Sequence, residues 1–271
     1  MADATGFHLK GSAPERYEHY VAPLMAPFVT ALVDAADLYP GATVLDLACG
    51  TGFTARAAAA QAGPTGRVHG IDIDEDRLEL ARARHPRLYP DIEFTAAPAD
   101  ALPHPDRSFD VVLCQQGAQY FPDLDAALRE AARVTRPQGR FAATVWTRMD
   151  QSPYCVAQHR VLTEYAGPDA AAGYAAAFSC TAEHLTGALR RAGYRTTTHH
   201  EVTFTIAFSP LEEFALAHLS ALSWGRSITD TGGEQALATA AHRVREHVAD
   251  HTAPDDTATL PFTATLVTAT R

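Results

Sequence analysis

Residues 44–53 read VLDLACGTGF, a strand-like run that carries an acid, Asp46, and then breaks into Gly50-Thr51-Gly52. Glycine at such a break allows positive φ and lets another molecule approach the main chain, because no Cβ stands in the way. Ala48 is small enough to leave that approach open. A second acid, Asp72, lies at the end of the next predicted strand, twenty positions after Gly52 (72 − 52). In dinucleotide-binding folds an acid so placed accepts hydrogen bonds from ribose hydroxyls. Together the glycines and the acid predict a loop that holds a nucleoside-bearing cofactor.

Two cofactors compete for it. An NAD loop follows GxGxxG and seats a pyrophosphate at a helix N-terminus. Here Ala55 stands three residues after Gly52, and Asp46 would repel a pyrophosphate. An acid at 46 suits a cationic amino group instead, such as the one on the methionine end of S-adenosylmethionine. An NAD-dependent oxidoreductase is therefore the second alternative.

The elements that must position this loop follow from periodicity and punctuation. Strands are predicted over 42–48, 67–73, 92–97, 109–115 and 140–146, with helices over 54–61, 74–85 and 124–134 between them. Such alternation predicts a doubly wound, mostly parallel α/β sheet. Residues 14–38 read as helix in two pieces, broken near Pro23 and Pro27. Beyond Met149 come Ala-rich helical stretches, a helix over 182–192 ending at Gly193, and a strand over 196–208. Helices over 211–224 and 233–250 flank a Gly/Ser/Thr loop at 225–233, and a last strand covers 261–270. The last two strands suit an antiparallel C-terminal edge pair, making seven strands in all. The 271 residues fit one domain, with 1–40 as a helical cover and 209–260 as a helical insertion.

Composition narrows the partners. A net charge of −10 argues against nucleic acid. No apolar run approaches the ~20 residues that span a bilayer, and MADATGFHLK lacks the pattern of an export signal. Four cysteines without a CxxC pair then imply reduced thiols and a cytoplasmic location. No metal set is read: His199 and His200 point to opposite faces of a strand, and His242, His247 and His251 read as surface histidines. SPYC (152–155) follows the fifth strand and lacks a second proline, so it is not read as an amino-methylating DNA motif. Cys49 and Cys114 read as small packing residues.

VLDLACGTG resembles the first motif of class I S-adenosylmethionine-dependent methyltransferases, close to the ubiquinone/menaquinone small-molecule group. The likeness continues through VHGIDID (68–74), PADALPHPDRSFDVVLCQQGAQYFPD (98–123), LREAARVTRPQGRFAATVW (128–146) and HLTGALRRAGYRTTTHHEV (184–202). ERYEHYVAP (15–23) is similar to the family's cofactor-covering N-terminal helix. The resemblance implies a Rossmann-like fold and methyl transfer from S-adenosylmethionine, leaving S-adenosylhomocysteine, to an O, C or N atom of a small, apolar acceptor. It implies that Asp46, Ala48, Gly50 and Gly52 frame the methionine part and that Tyr17 reaches its carboxylate. It implies Asp72 on the ribose, Ile73 on the adenine face, Asp100 and the Ala101 amide at the adenine edge, and Gln115 beside the transferred methyl. Pro137-Gln138-Gly139 stands where the family has Pro-Gly-Gly, and a type I turn there tolerates Gln.

The acceptor side is thinner in signal. Tyr17, Tyr120 and Trp146 are candidates for an aromatic wall on the cationic sulfonium, and Tyr120 and Trp146 also for the acceptor pocket. His19 and His159 are candidate bases, having a suitable reference pKa. FALAHLSALSW (214–224), with Phe214 and Trp224, reads as a lid over a greasy acceptor or as a homodimer surface. A cofactor-binding protein of the same fold that catalyses a cyclase-like step, or regulates, is the first alternative.

Overall fold

The computed structural model describes residues 12–83 and 91–271. Seven strands form one sheet: β1 Thr43–Leu47, β2 Arg67–Asp72, β3 Ile92–Ala96, β4 Phe109–Gln115, β5 Thr135–Trp146, β6 Thr196–Phe208 and β7 Ala258–Thr270. Their order is β3-β2-β1-β4-β5-β7-β6. All neighbouring pairs are parallel except those made by β7, which runs antiparallel to both β5 and β6. The chain order reverses between β1 and β4, and in open α/β sheets the crevice above such a reversal receives the ligand.

Period-two alternation distributes the core over both faces of the sheet. Val44, Val111 and Leu113 pack toward α2 (Ala22–Ala35) and α3 (Phe53–Ala62). Leu45, Val112 and Cys114 pack toward α5 (Leu124–Val134) and α8 (Ala182–Arg191). A further cluster joins α6 (Pro153–Tyr165), α7 (Pro168–Ala176), α9 (Leu211–Ala221) and α10 (Ser223–His247) to the front of α2 and to β7. The chain enters through α1 (Ala13–Arg16) and one wide turn, Tyr17–Val21. The expected breaks near Pro23 and Pro27 do not occur: residues 13–35 are helical without interruption, the wide Tyr17–Val21 turn comes just before Pro23, and Pro27 is carried inside α2.

Three local expectations are corrected. Residues 225–232 are helix, not loop, and only Gly233, at φ 72°, breaks α10. The reason is tertiary: a Cβ on Gly225 would lie 2.0 Å from the Leu219 carbonyl oxygen, so glycine lets α10 start against the end of α9. Strand β5 starts at Thr135 and not at 140, so Pro137-Gln138-Gly139 lies within it at an irregularity, and that segment is not a type I turn, since Gln138 has φ 68°, the left-handed geometry of the third position of a type II turn, which favours glycine. Strand β7 starts at Ala258, three residues before the apolar run that predicted it. Helix α4 is described over Glu75–Ala83, with the Asp74 carboxylate before it accepting from the Arg77 amide at 3.2 Å, and positions 84–85 of its expected span lie outside the described residues.

Candidate functional site

A cavity of about 640 Å³ opens above the β1/β4 reversal. Its floor is the loop after β1. Ala48, Gly50 and Gly52 all have positive φ, at 59°, 54° and 78°, so the chain turns sharply into α3. The Asp72 carboxylate holds this turn, accepting from the Gly50 amide at 2.7 Å and from the Asp74 amide at 3.0 Å. A Cβ on Gly50 would meet nothing within 4 Å, so that position faces open cavity. A Cβ on Gly52 would lie 2.7 Å from the Phe94 ring, so that glycine serves packing beneath the loop.

The cover is fastened to the floor. Glu18, in the wide turn before α2, accepts from the Thr51 hydroxyl at 2.5 Å and pairs with Arg56 of α3. Arg16 donates to the Ser220 carbonyl at 3.0 Å, which ties the same segment to α9. Tyr17 lines the cavity between these anchors, with the Arg77 guanidinium 5.6 Å from its ring centroid.

Of the residues named from sequence, the cavity brings together Tyr17, Ala48, Gly50, Asp72, Ile73, Asp100, Gln115, Tyr120, Trp146 and Trp224. Ile73 is 77% exposed, an apolar side chain held open beside the acid that precedes it. The Gln115 side chain lines the cavity, and its nitrogen is enclosed with no hydrogen-bond partner. A nucleoside with a methionine tail fits this half: hydroxyl acceptors at Asp72, an apolar plate at Ile73, an acid at Asp100 and an amide at Gln115.

Other expected residues stand elsewhere. Asp46 is 1% exposed and lies behind the loop, off the cavity wall, with both carboxylate oxygens enclosed and unpartnered. Burial pushes its carboxyl up to about 8, against the opposing influence of the Ala55 amide and Arg56. The Ala101 amide is spent on the Pro98 carbonyl at 3.2 Å. His19 is exposed on the cover and stacks edge-on with Tyr20, and His159 lies on a face of α6 away from the cavity. Phe214 packs behind the wall, against Phe208 with ring centroids 4.3 Å apart.

The second half of the cavity is aromatic, with Trp146 stacked on Phe178 and Trp224 edge-on to Tyr174. It also holds polar side chains that sequence reading does not single out: Tyr154 and Gln158 of α6, Tyr174 of α7 and His218 of α9. Burial alone pushes His218 down to about 4, so its ring is neutral near pH 7. The one sequence signal for it is a lone histidine in the apolar run FALAHLSALSW. Among the described residues no group of three or more His, Cys, Asp or Glu could hold a metal ion, and no helix is long and apolar enough to cross a membrane.

Residues 44–139 match the family described as a methyltransferase domain. The ubiquinone/menaquinone biosynthesis C-methyltransferase UbiE of Hahella chejuensis is 43% identical over 110 residues, 40% of this chain and 44% of that one. The chain thus spans about half the length, or less, of the curated relatives it matches. Solved structures share the fold over far more of the chain. A putative methyltransferase from an antibiotic biosynthesis pathway of Anabaena variabilis superposes with a TM-score of 0.63 at 16% identity, covering 91% of this chain and 97% of its own. The [4+2]-cyclase SpnF does so with a TM-score of 0.51 at 24% identity, covering 88% and 79%. Residues 44–139 therefore match a methyltransferase domain, are similar in sequence to ubiquinone/menaquinone C-methyltransferases, and are set in a fold shared with Rossmann-like methyltransferases.

Proposed function

We propose that the protein transfers a methyl group from S-adenosylmethionine to a small, flat, largely apolar acceptor, quinone-like or natural-product-like. The observation that supports it best is one continuous cavity whose two halves differ in chemistry: a glycine loop braced by Asp72 on one side, an aromatic chamber on the other. The sulfonium cofactor, when bound, supplies an electrophilic methyl on a good leaving group. The protein's own contribution is placement. Asp72 orients the ribose while its bond to the Gly50 amide keeps the loop in the binding geometry. Gln115, at the end of β4, stands at the meeting of the two halves. Trp146, Phe178 and Trp224 hold an aromatic acceptor and exclude water, which raises the effective concentration of the two reactants. Helix α9 roofs the acceptor chamber as a lid, and the expected general bases His19 and His159 have no part in this scheme.

The fold shared with SpnF keeps a second reading in view, a bound cofactor without methyl transfer. One experiment separates them: incubate the protein with methyl-labelled S-adenosylmethionine and a panel of reduced naphthoquinones and phenols. Label in the organic product with equimolar S-adenosylhomocysteine is the expected result. Converted acceptor with no S-adenosylhomocysteine would replace methyl transfer by the cyclase-like reading.

A further inference from the structure

The acceptor chamber is apolar except for one buried knot. Tyr154 and Gln158 lie four residues apart on α6 and so share a helix face. The Tyr154 hydroxyl is 2.9 Å from His218 Nδ1, and Gln158 Nε2 is 3.2 Å from the same atom. The Tyr174 hydroxyl donates to Gln158 Oε1 at 2.9 Å. Tyr154 and Gln158 are at most 1% exposed, and Tyr174 and His218 are 6% exposed. All four line the cavity.

The orientation of the Gln158 amide, with Oε1 toward Tyr174, sets the histidine tautomer. An amide nitrogen donates and never accepts. With Gln158 Oε1 satisfied by Tyr174, Gln158 Nε2 donates to His218 Nδ1. A neutral ring that accepts at Nδ1 carries its proton on Nε2. His218 Nε2 has no hydrogen-bond partner among the described residues, yet it is not among the sealed polar atoms. Its outlet is the cavity that the ring lines.

We infer that His218 Nε2–H is a fixed donor for an oxygen of the acceptor, so the chamber selects a flat apolar ring that bears a carbonyl, phenol or enolate oxygen over the bare hydrocarbon. This rests on the proposed acceptor half of the cavity. The charged side chains that line the cavity (Asp72, Asp74, Arg77, Asp100 and Asp123) belong to the cofactor half or its rim, so the donor in the chamber is neutral. Neutral donation suits one oxygen on a ring. An occupant without that oxygen leaves a buried N–H unpaired, which disfavours it by about 10- to 100-fold.

The test uses 2-naphthol and naphthalene as probes, titrated against the full chain and against His218→Leu and His218→Gln. Glutamine keeps an amide N–H near the place of Nε2, whereas leucine removes it. Binding of S-adenosylhomocysteine is measured in parallel as the control for fold and for the methyltransferase reading. The expected result is at least 10-fold preference for 2-naphthol in the native protein, most of it kept by His218→Gln and lost in His218→Leu, with S-adenosylhomocysteine affinity unchanged. Equal binding of the two probes to the native protein overturns the inference, as does a preference that survives in His218→Leu. If His218→Leu fails to fold, a preference lost in a folded His218→Gln overturns it and one retained there supports it. Failure of S-adenosylhomocysteine to bind any form would count against the methyltransferase reading alone, because the naphthol preference is read without cofactor.

Discussion

Asp46 sits enclosed behind the cofactor loop, where the Ala55 amide favours its charge without closing a full hydrogen bond to either oxygen, and burial raises its carboxyl from 3.8 to about 8. A folded pKa above the unfolded one means that the folded state holds a proton the unfolded chain gives up. The resulting stability is complete below pH 3.8 and is lost as pH rises toward 8. At pH 7 the cost of keeping Asp46 protonated is about 1.36 × (7 − 3.8), or about 4 kcal/mol. Asp46→Asn removes that cost but leaves a buried amide to satisfy, at about 1–3 kcal/mol. The variant is therefore expected to be about 1–3 kcal/mol more stable than the native protein at pH 7. The more telling quantity is the difference between the two proteins in urea unfolding from pH 4.5 to 7.5, which cancels every other titrating group. It should move in favour of Asp46→Asn by about 4 kcal/mol over those three units. A flat difference, or a variant less stable at pH 7.5, would refute the picture of a neutral, unpartnered carboxyl.

Other perturbations follow from the same geometry. Gly52→Ala must place a Cβ at φ 78° and 2.7 Å from Phe94, and a loss of about 2–4 kcal/mol in urea unfolding is expected. Glu18→Ala releases Thr51 and Arg56 from the cover, so cofactor affinity should fall about 10-fold with little change in global stability; unchanged affinity in calorimetry would show that the cover is not held through Glu18. Asp72→Ala loses both loop bonds and the expected ribose bonds, and should weaken cofactor binding by tens-fold. His218, buried among Tyr154, Gln158 and Phe214, must stay neutral, so native stability should fall as pH drops from 6.5 toward 4. Relative to His218→Gln, that loss should reach about 3 kcal/mol by pH 4.5.

The fold was legible because its signals are local. FDVVLCQ is strand from Phe109 to Gln115 as its apolar run predicts, and Gly50, Asp72 and Asp100 meet at one cavity as their places at strand ends imply. What sequence reading lost depends on three-dimensional packing. Gly225 makes a helix start where composition reads as loop, because its use lies in the absence of a Cβ beside Leu219. Asp46 fits the family pattern, yet its strand position points it into the core and not into the cavity. The acceptor knot draws on three helices, at 154, 158, 174 and 218, a spacing that carries no motif. His19 and His159 sit in segments near the pocket, but helix phase turns one outward and the other away from the cavity.

The most direct measurement is calorimetric titration of the full chain with S-adenosylmethionine, S-adenosylhomocysteine and NAD. Micromolar binding of the first two, with none of NAD, is the expected outcome of a glycine loop braced by Asp72 and lacking a third glycine. Binding of NAD, or of neither adenosyl compound, would contradict it.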